Sequence, residues 1–190
     1  MRHSTDNPLQ PAARRICVVG TTGSGKSTLA SELARRLQLP YVELDALYWG
    51  PNWTGCTDEE LRQRAEKATG GDAWVVDGNY SSIRDLTFPR TEEVVWLDYP
   101  LLLILWRLWK RTWKRVKTKE NLWGTNTERL WPQFFSKDSL FLWALKTYRR
   151  RKKTYTDLLT SPEYANINVH HFKSQRGPDA WLRSWDIPKS

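Results

Sequence analysis

Eight consecutive residues, Gly20-Thr21-Thr22-Gly23-Ser24-Gly25-Lys26-Ser27, follow the order G-x-x-x-x-G-K-[ST] at every fixed position. Each residue type answers a chemical demand. Glycines let the backbone curl so that successive N–H groups point into one concavity. That concavity and the start of the following helix attract phosphate oxygens. A lysine at position 26 neutralises β- and γ-phosphates, and the Ser27 hydroxyl suits Mg²⁺. The spacing predicts a nucleotide site for ATP and Mg²⁺ built from Gly20, Thr21, Thr22, Gly23, Ser24, Gly25, Lys26, Ser27 and Thr28. The bland alternative is a glycine-rich turn, but a β-branched run precedes the motif and an amphipathic run follows it.

A second constellation is Trp74-Val75-Val76-Asp77-Gly78-Asn79-Tyr80. Asp77 ends an apolar run, which in a parallel sheet places it beside the phosphate loop. A carboxylate there orients the hydration shell of Mg²⁺ or accepts a proton, which makes Ser27 and Asp77 the metal candidates. Gly78 permits close approach of a ligand; an ordinary Asp-Gly turn is the competing reading. The third is Trp106-Arg107-Leu108-Trp109-Lys110-Arg111-Thr112-Trp113-Lys114-Arg115, where Arg107 and Arg111 lie one helical turn apart and share a face. A further basic run, Arg149 to Lys153, follows another amphipathic helix and is placed to meet the first across a lid. Charge runs are more often solvated helix faces, and an aromatic-basic run also suits nucleic acid or an anionic membrane.

The elements that must position these residues are legible. Ile16 to Val19 reads as a buried strand. Lys26 to Leu37 carries Leu29, Leu33 and Leu37 on one helical face. Tyr41 to Leu44 is a second strand. Thr57 and Glu60 form a capping box that opens a polar helix to about Lys67. Trp74 to Val76 and Val94 to Leu97 are further strands. Pro100 opens a helix with Leu101, Leu105, Leu108 and Thr112 at helical spacing. Ile167 to Phe172 is a last strand, ahead of a short helix around Ala180 to Trp185. Strands separated by helices predict an α/β fold, a parallel sheet with helices on both faces. Residues 1–14 read as a disordered arm and 15–190 as one domain, with a helical basic and aromatic insertion, or lid, at about 111–155. Most tryptophans are expected to pack in the core or the lid.

Composition narrows the partners. Thirty Lys and Arg against 21 Asp and Glu give a net charge of +9, which favours anionic ligands without choosing among them. Two cysteines form no disulfide framework, so a reducing, cytoplasmic setting is expected. The stretch from Val94 to Trp106 is too short and too interrupted to span a bilayer, and no membrane partner is expected. His170 and His171 are strand neighbours that point to opposite faces, so no metal role is assigned to them. No Asn-Lys-x-Asp guanine-reading motif occurs.

With these segments in place, the chain resembles the adenylate-kinase-like P-loop kinases, and within them the group known as DNA topology modulation proteins or adenylate-kinase-related kinases. The matching stretches are the P-loop, Glu43 to Trp49, Val76 to Tyr80, Val95 to Asp98 and Phe134 to Ser139, within about Arg15 to Trp185. The resemblance implies a P-loop NTPase fold, three-layer α/β/α, with a five-stranded parallel sheet and a helical lid. It also implies that Arg107 and Arg111 contact the transferring phosphates, with Lys114 and Arg115 as the alternative, and that Lys173-Ser174-Gln175 lies where related kinases hold adenine. Asp45 resembles the acceptor-binding aspartate of shikimate-kinase-like enzymes. Asp77 and Gly78 match the Asp-Gly-Phe-Pro-Arg of adenylate kinases, whereas Asn79, Tyr80 and Ser81 replace its remainder.

The expectation is ATP-Mg²⁺-dependent phosphoryl transfer to a small acceptor, with a nucleotide or nucleoside ranked first. Lys26, Asp45, Asp77, Arg107 and Arg111 are the catalytic candidates. The alternative is an ATP-gated nucleic-acid-binding protein that uses the basic aromatic lid.

Overall fold

A computed structural model describes residues 15–118, 121–122, 126–127 and 140–183. The proposed N-terminal arm and, within the proposed lid, residues 119–120, 123–125 and 128–139, which include Phe134 to Ser139, lie outside the described residues.

The sheet has five parallel strands: β1 (Arg15–Gly20), β2 (Tyr41–Glu43), β3 (Trp74–Asp77), β4 (Glu93–Leu97) and β5 (Asn168–Phe172). Their spatial order is β2-β3-β1-β4-β5, with β1 at the centre. Ile16 pairs with Val75 on one side and Glu93 on the other. Strand alternation sorts the apolar side chains into two cores. Ile16, Val18, Val75 and Val95 face one layer of helices, while Cys17, Val19, Val76, Val94 and Trp96 face the other. The first core receives α1 (Lys26–Leu37) and α5 (Leu101–Thr118); the second receives α2 (Leu44–Tyr48) and α3 (Asp58–Ala68), and the short α4 (Arg84–Thr87) lies between β3 and β4 in the chain. The expected three-layer P-loop arrangement is therefore present.

Local sequence explains the individual helices. Leu29, Ala30, Leu33, Ala34 and Leu37 form the buried stripe of α1, each larger side chain contributing about 1.5–3 kcal/mol. The helix stops at Gln38, in the left-handed region, whose N–H bonds the Ala34 carbonyl. The Thr57–Glu60 capping box opens α3 as predicted. Pro100 accepts the first bonds of α5, from the N–H groups of Leu103 and Ile104.

Several boundaries differ from the sequence reading. Leu44 does not continue β2; it begins α2, so Asp45 sits in a first helical turn rather than at a strand end. The basic run Arg149 to Lys153 does not follow a helix but lies inside α6 (Leu140–Leu159). The last helix, α7 (Arg176–Arg183), starts four residues ahead of the predicted Ala180. Between α5 and α6, Asn121–Leu122 and Asn126–Thr127 form a short antiparallel pair. Of the described tryptophans, Trp74 and Trp96 are core residues, but Trp106, Trp109, Trp113 and Trp143 are exposed. The α5 tryptophans occupy a stripe turned away from the buried Ile104 and Leu108, which is why core packing was the wrong reading for them.

The two cysteines differ in access. Burial pushes the Cys17 thiol up to about 12, against a weaker opposing contact with the Thr91 hydroxyl at 3.1 Å. Cys56 is partly exposed. Iodoacetamide at about pH 8 should label Cys56 alone in the native protein, because the thiolate is the nucleophile. Labelling of both under native conditions would place Cys17 outside the core.

Candidate active site

The candidate residues meet at the carboxyl ends of the strands, where open α/β sheets bind ligands. The phosphate loop runs from β1 into α1. Gly23 and Gly25 adopt φ of 81° and 93°, a region that strongly favours glycine. At Gly23 there is also no room for more: a Cβ would stand 2.6 Å from Leu108 Cγ on α5. Helix α1 starts at Gly25 with no side-chain cap and no acidic residue in its first turn. Its end is thus left to an anion, the arrangement that phosphate exploits.

Three side groups hold this loop from outside. Asn79 brackets Gly20, accepting from its N–H through Oδ1 (3.3 Å) and donating to its carbonyl through Nδ2 (2.6 Å). Tyr155, on α6, donates its hydroxyl to the same Asn79 Oδ1 at 2.7 Å. Arg107 donates to the Ser24 carbonyl. Its guanidinium also lies 4.9 Å over the Tyr99 ring and, with the Gln175 amide oriented oxygen-inward as its donors require, donates to that oxygen at 2.8 and 2.9 Å. Gln175 belongs to the loop after β5 singled out from the sequence, so Arg107 ties that loop to the phosphate loop.

Inside the loop, Ser27 and Asp77 form a pair. Ser27 Oγ donates to Asp77 Oδ2 at 2.6 Å, and the Tyr41 hydroxyl donates to Asp77 Oδ1 at 3.0 Å. Burial pushes Asp77 above the ordinary carboxylate range, with Lys26, Ser27 and Tyr41 pulling it back. Burial likewise pushes the Lys26 ammonium down, opposed by Asp77 and Asp45 and reinforced by Arg151 and Arg111. Lys26 therefore feels the charge of two carboxylates and two guanidiniums. The Ser24 hydroxyl is buried with no hydrogen-bond partner, a polar atom left facing the loop's interior economy of donors and acceptors. A hydroxyl and a carboxylate at this spacing form an all-oxygen donor set of the kind Mg²⁺ prefers, so Ser27 and Asp77 fit the metal.

Beyond Asp77 the chain turns sharply. Gly78 has φ 141°, and a Cβ there would meet Leu44 Cβ at 2.7 Å. The missing side chain lets α2 close against the end of β3 and brings Asp45 to the same cleft. Asp45 Oδ1 accepts from the Tyr80 hydroxyl at 2.7 Å. Burial and the facing Asp45 push the Tyr80 phenol up, keeping it a donor. Next to it Tyr48, Trp49, Trp53 and Tyr80 form a chain of ring contacts, with centroids 4.8 to 5.8 Å apart. Arg151 projects into this region from α6. Burial pushes its guanidinium down, and Tyr155, Asp45 and Tyr80 pull it back up.

Lys26, Ser27, Asp45, Asp77 and Arg111 are thus brought together, and Arg107 reaches the loop through a backbone carbonyl. Asn79, Tyr80, Arg151 and Tyr155 were not singled out from the sequence. Asn79 stood inside the matching stretch Val76 to Tyr80 without a role of its own, and Arg151 was one of five consecutive cations. His170 and His171 do face opposite sides. His170 pairs with Glu93 and His171 with Asp98, each at 3.1 Å.

A family model described as an AAA domain matches residues 16–127. No curated protein aligns with the chain. Among solved structures, the chain is similar to a shikimate kinase from Bacteroides thetaiotaomicron, with 18% identity, 91% of this chain and 96% of that chain covered, and a TM-score of 0.53. It is also similar to a sugar kinase from Janibacter sp. (19% identity, 90% and 91% covered, TM-score 0.51). A gluconokinase from Sinorhizobium meliloti 1021 gives 16% identity, 92% and 90% coverage and a TM-score of 0.51. At such identities the shared property is the fold, which extends over nearly the whole of each chain.

Proposed function

The chain belongs to the AAA domain family, and from that premise we propose that it is a P-loop kinase that transfers the terminal phosphoryl group of ATP to a small acceptor bearing a hydroxyl. The observation that carries this reading is the convergence of Lys26, the Ser27–Asp77 pair and Asp45 on one cleft. A phosphate-binding machine without an acceptor needs no carboxylate at Asp45. The similar folds whose names describe kinases of small hydroxylated compounds give the reading further support.

In this reading the amides of Gly23 to Lys26 and the open end of α1 bind the β- and γ-phosphates. Lys26 and Arg111 hold charge as it develops on the transferring group. Ser27 and Asp77 are the residues that would hold Mg²⁺, which would supply positive charge to offset that of the phosphates. Asp45 orients the acceptor hydroxyl and takes its proton, with Tyr80 fixing the carboxylate. Arg107 is a positioning residue that holds the loop. A nucleoside or nucleotide is the acceptor class we favour. The rings of Tyr48, Trp49, Trp53 and Tyr80 offer apolar faces to a base, and Asp45 stands beside them for a sugar hydroxyl. A cytoplasmic site of action accords with ATP as donor.

Arg151 is assigned the acceptor-side charge. Arg151→Ala should lower kcat/KM for the acceptor by about 10²-fold, with Arg151→Lys recovering part of it. A variant with unchanged kcat/KM would leave Arg151 a packing residue under Trp143, whose ring it overlies at 5.7 Å.

The reading itself is tested by ADP release from ATP-Mg²⁺ in the presence of nucleoside monophosphates, nucleosides or other hydroxylated metabolites. One class should accelerate release well above the acceptor-free rate. Equal release with every class would contradict a kinase.

A further inference from the structure

Helix α5 has two faces, and the active site uses only one. Ile104 and Leu108 are buried in the core, and Arg107 and Arg111 turn toward the phosphate loop. At 3.6 residues per turn, Leu102, Trp106, Trp109 and Trp113 fall within about 60° of one another, on the side opposite Arg111. All four are exposed: Leu102 by 82%, and the three indoles by 54%, 41% and 45%. Single exposed apolar residues need no explanation, but a continuous stripe of large ones marks a surface that meets something.

Charge narrows what that partner is. Helix α5 carries six Lys and Arg and no acidic residue. Its neighbour α6 carries six and a single acid, Asp157. The Tyr148 hydroxyl donates to the Tyr99 carbonyl and fixes α6 alongside α5. Two copies of such a surface would repel each other, so self-association is disfavoured and an anionic partner is favoured. The geometry of the indoles then separates the two anionic macromolecules. Bases stack on ring faces. Trp109 lies between Trp106 (5.2 Å, 21°) and Trp113 (6.2 Å, 17°), and the Lys117 ammonium lies 5.2 Å over the Trp113 ring. The ladder's faces are largely taken by its own rings and a cation. Nor does nucleic acid offer an apolar phase to Leu102, or to Leu142 and Leu145, which α6 exposes beside it.

We propose that the Leu102–Trp113 stripe of α5 is a docking surface for an anionic lipid bilayer, with the indoles and leucines entering the headgroup boundary and Lys110, Lys114 and Lys117 meeting lipid phosphates. Tryptophan is suited to that boundary, apolar in its body and polar at its N–H. Leucine and tryptophan on one face with lysines along its margin is the pattern of a helix that lies in the interface. Among the described residues no helix is long and apolar enough to cross a membrane, so the contact is with the surface. The stripe faces away from Lys26 and Asp77, so the docked protein keeps its cleft open to solvent. The proposal departs from the sequence expectation of no membrane partner, which was drawn without the helix phase that turns the indoles outward.

The test is co-sedimentation of the full chain with vesicles of phosphatidylcholine alone or with about 30% phosphatidylglycerol. The wild-type chain should sediment with the anionic vesicles and remain in solution with the neutral ones. The triple substitution Trp106→Ser, Trp109→Ser, Trp113→Ser should weaken anionic-vesicle binding by about tenfold or more. Retained ATP-Mg²⁺ affinity would show that the variant is folded. Should it fail to fold, the pair Lys110→Glu, Lys117→Glu, which keeps the apolar stripe, should weaken the same binding and flatten its dependence on salt. Vesicle binding needs no nucleotide, so its outcome is separate from that of the kinase assay. The proposal is overturned if wild type ignores anionic vesicles or if the variants bind them as well as wild type. It is equally overturned if the indoles are needed for single-stranded oligonucleotide binding and not for vesicle binding. A dimer in light scattering that the triple substitution dissolves would overturn it too.

Discussion

Lys26→Ala is expected to reduce phosphate transfer by about 10³-fold or more, with secondary structure unchanged by circular dichroism. The magnitude follows from where the ammonium sits. Burial pushes it down, Asp77 and Asp45 favour its charge, and Arg151 and Arg111 oppose it. In so desolvated a place a fixed charge acts more strongly than in water, and no water can take over its position without reorganisation. Its charge also pulls the buried Asp77 back down. Removing it leaves two carboxylates facing one another and raises Asp77 further, so Mg²⁺ affinity should fall together with turnover. Retention of more than about a tenth of the wild-type rate would move the phosphate-stabilising role to Arg111.

The second large effect is expected at Asp45. Asp45→Asn keeps the shape and the contact with the Tyr80 hydroxyl but removes the proton acceptor, and should lower kcat/KM for the acceptor by about 10²–10⁴-fold. The KM for ATP should change little, because Asp45 reaches the cleft from α2 rather than from the phosphate loop. Tyr80→Phe gives the control. It leaves the carboxylate in place, loses only one orienting bond, and should cost about tenfold or less. Equal losses in the two variants would make Asp45 a structural partner of Tyr80 instead of a group that meets the acceptor.

What the sequence showed and what it hid follow one physical division. The P-loop, the α1 stripe and the Thr57–Glu60 capping box are set by near neighbours in the chain, and spacing alone reveals them. Asp77 was legible because it ends an apolar strand. The contributions of Asn79, Tyr155 and Arg151 depend on where distant segments land. Asn79 meets Gly20 across 59 residues, and Tyr155 meets Asn79 across 76. Within Arg149 to Lys153, only the phase of α6 decides that Arg151 turns to the cleft while Lys152 pairs with Asp98 at 3.0 Å. Helix phase also governs α5. Its sequence has apolar residues on more than one side, and composition cannot tell which stripe meets the sheet. Once Ile104 and Leu108 are seen to be buried, the tryptophans must point outward. Asp45 shows the cost of a boundary error of one residue, since it was read at a strand end and stands instead in the first turn of α2.

The most direct test of the central claim is the fate of the terminal phosphate. The protein, Mg²⁺ and ATP labelled at the γ-phosphate are mixed with the acceptor class that accelerates ADP release, and the products are separated. The account predicts label on the organic acceptor, in an amount matching the ADP formed, and none transferred by Lys26→Ala. Label recovered only as inorganic phosphate, with or without acceptor, would contradict it and make the chain an ATPase whose Asp45 cleft serves another purpose.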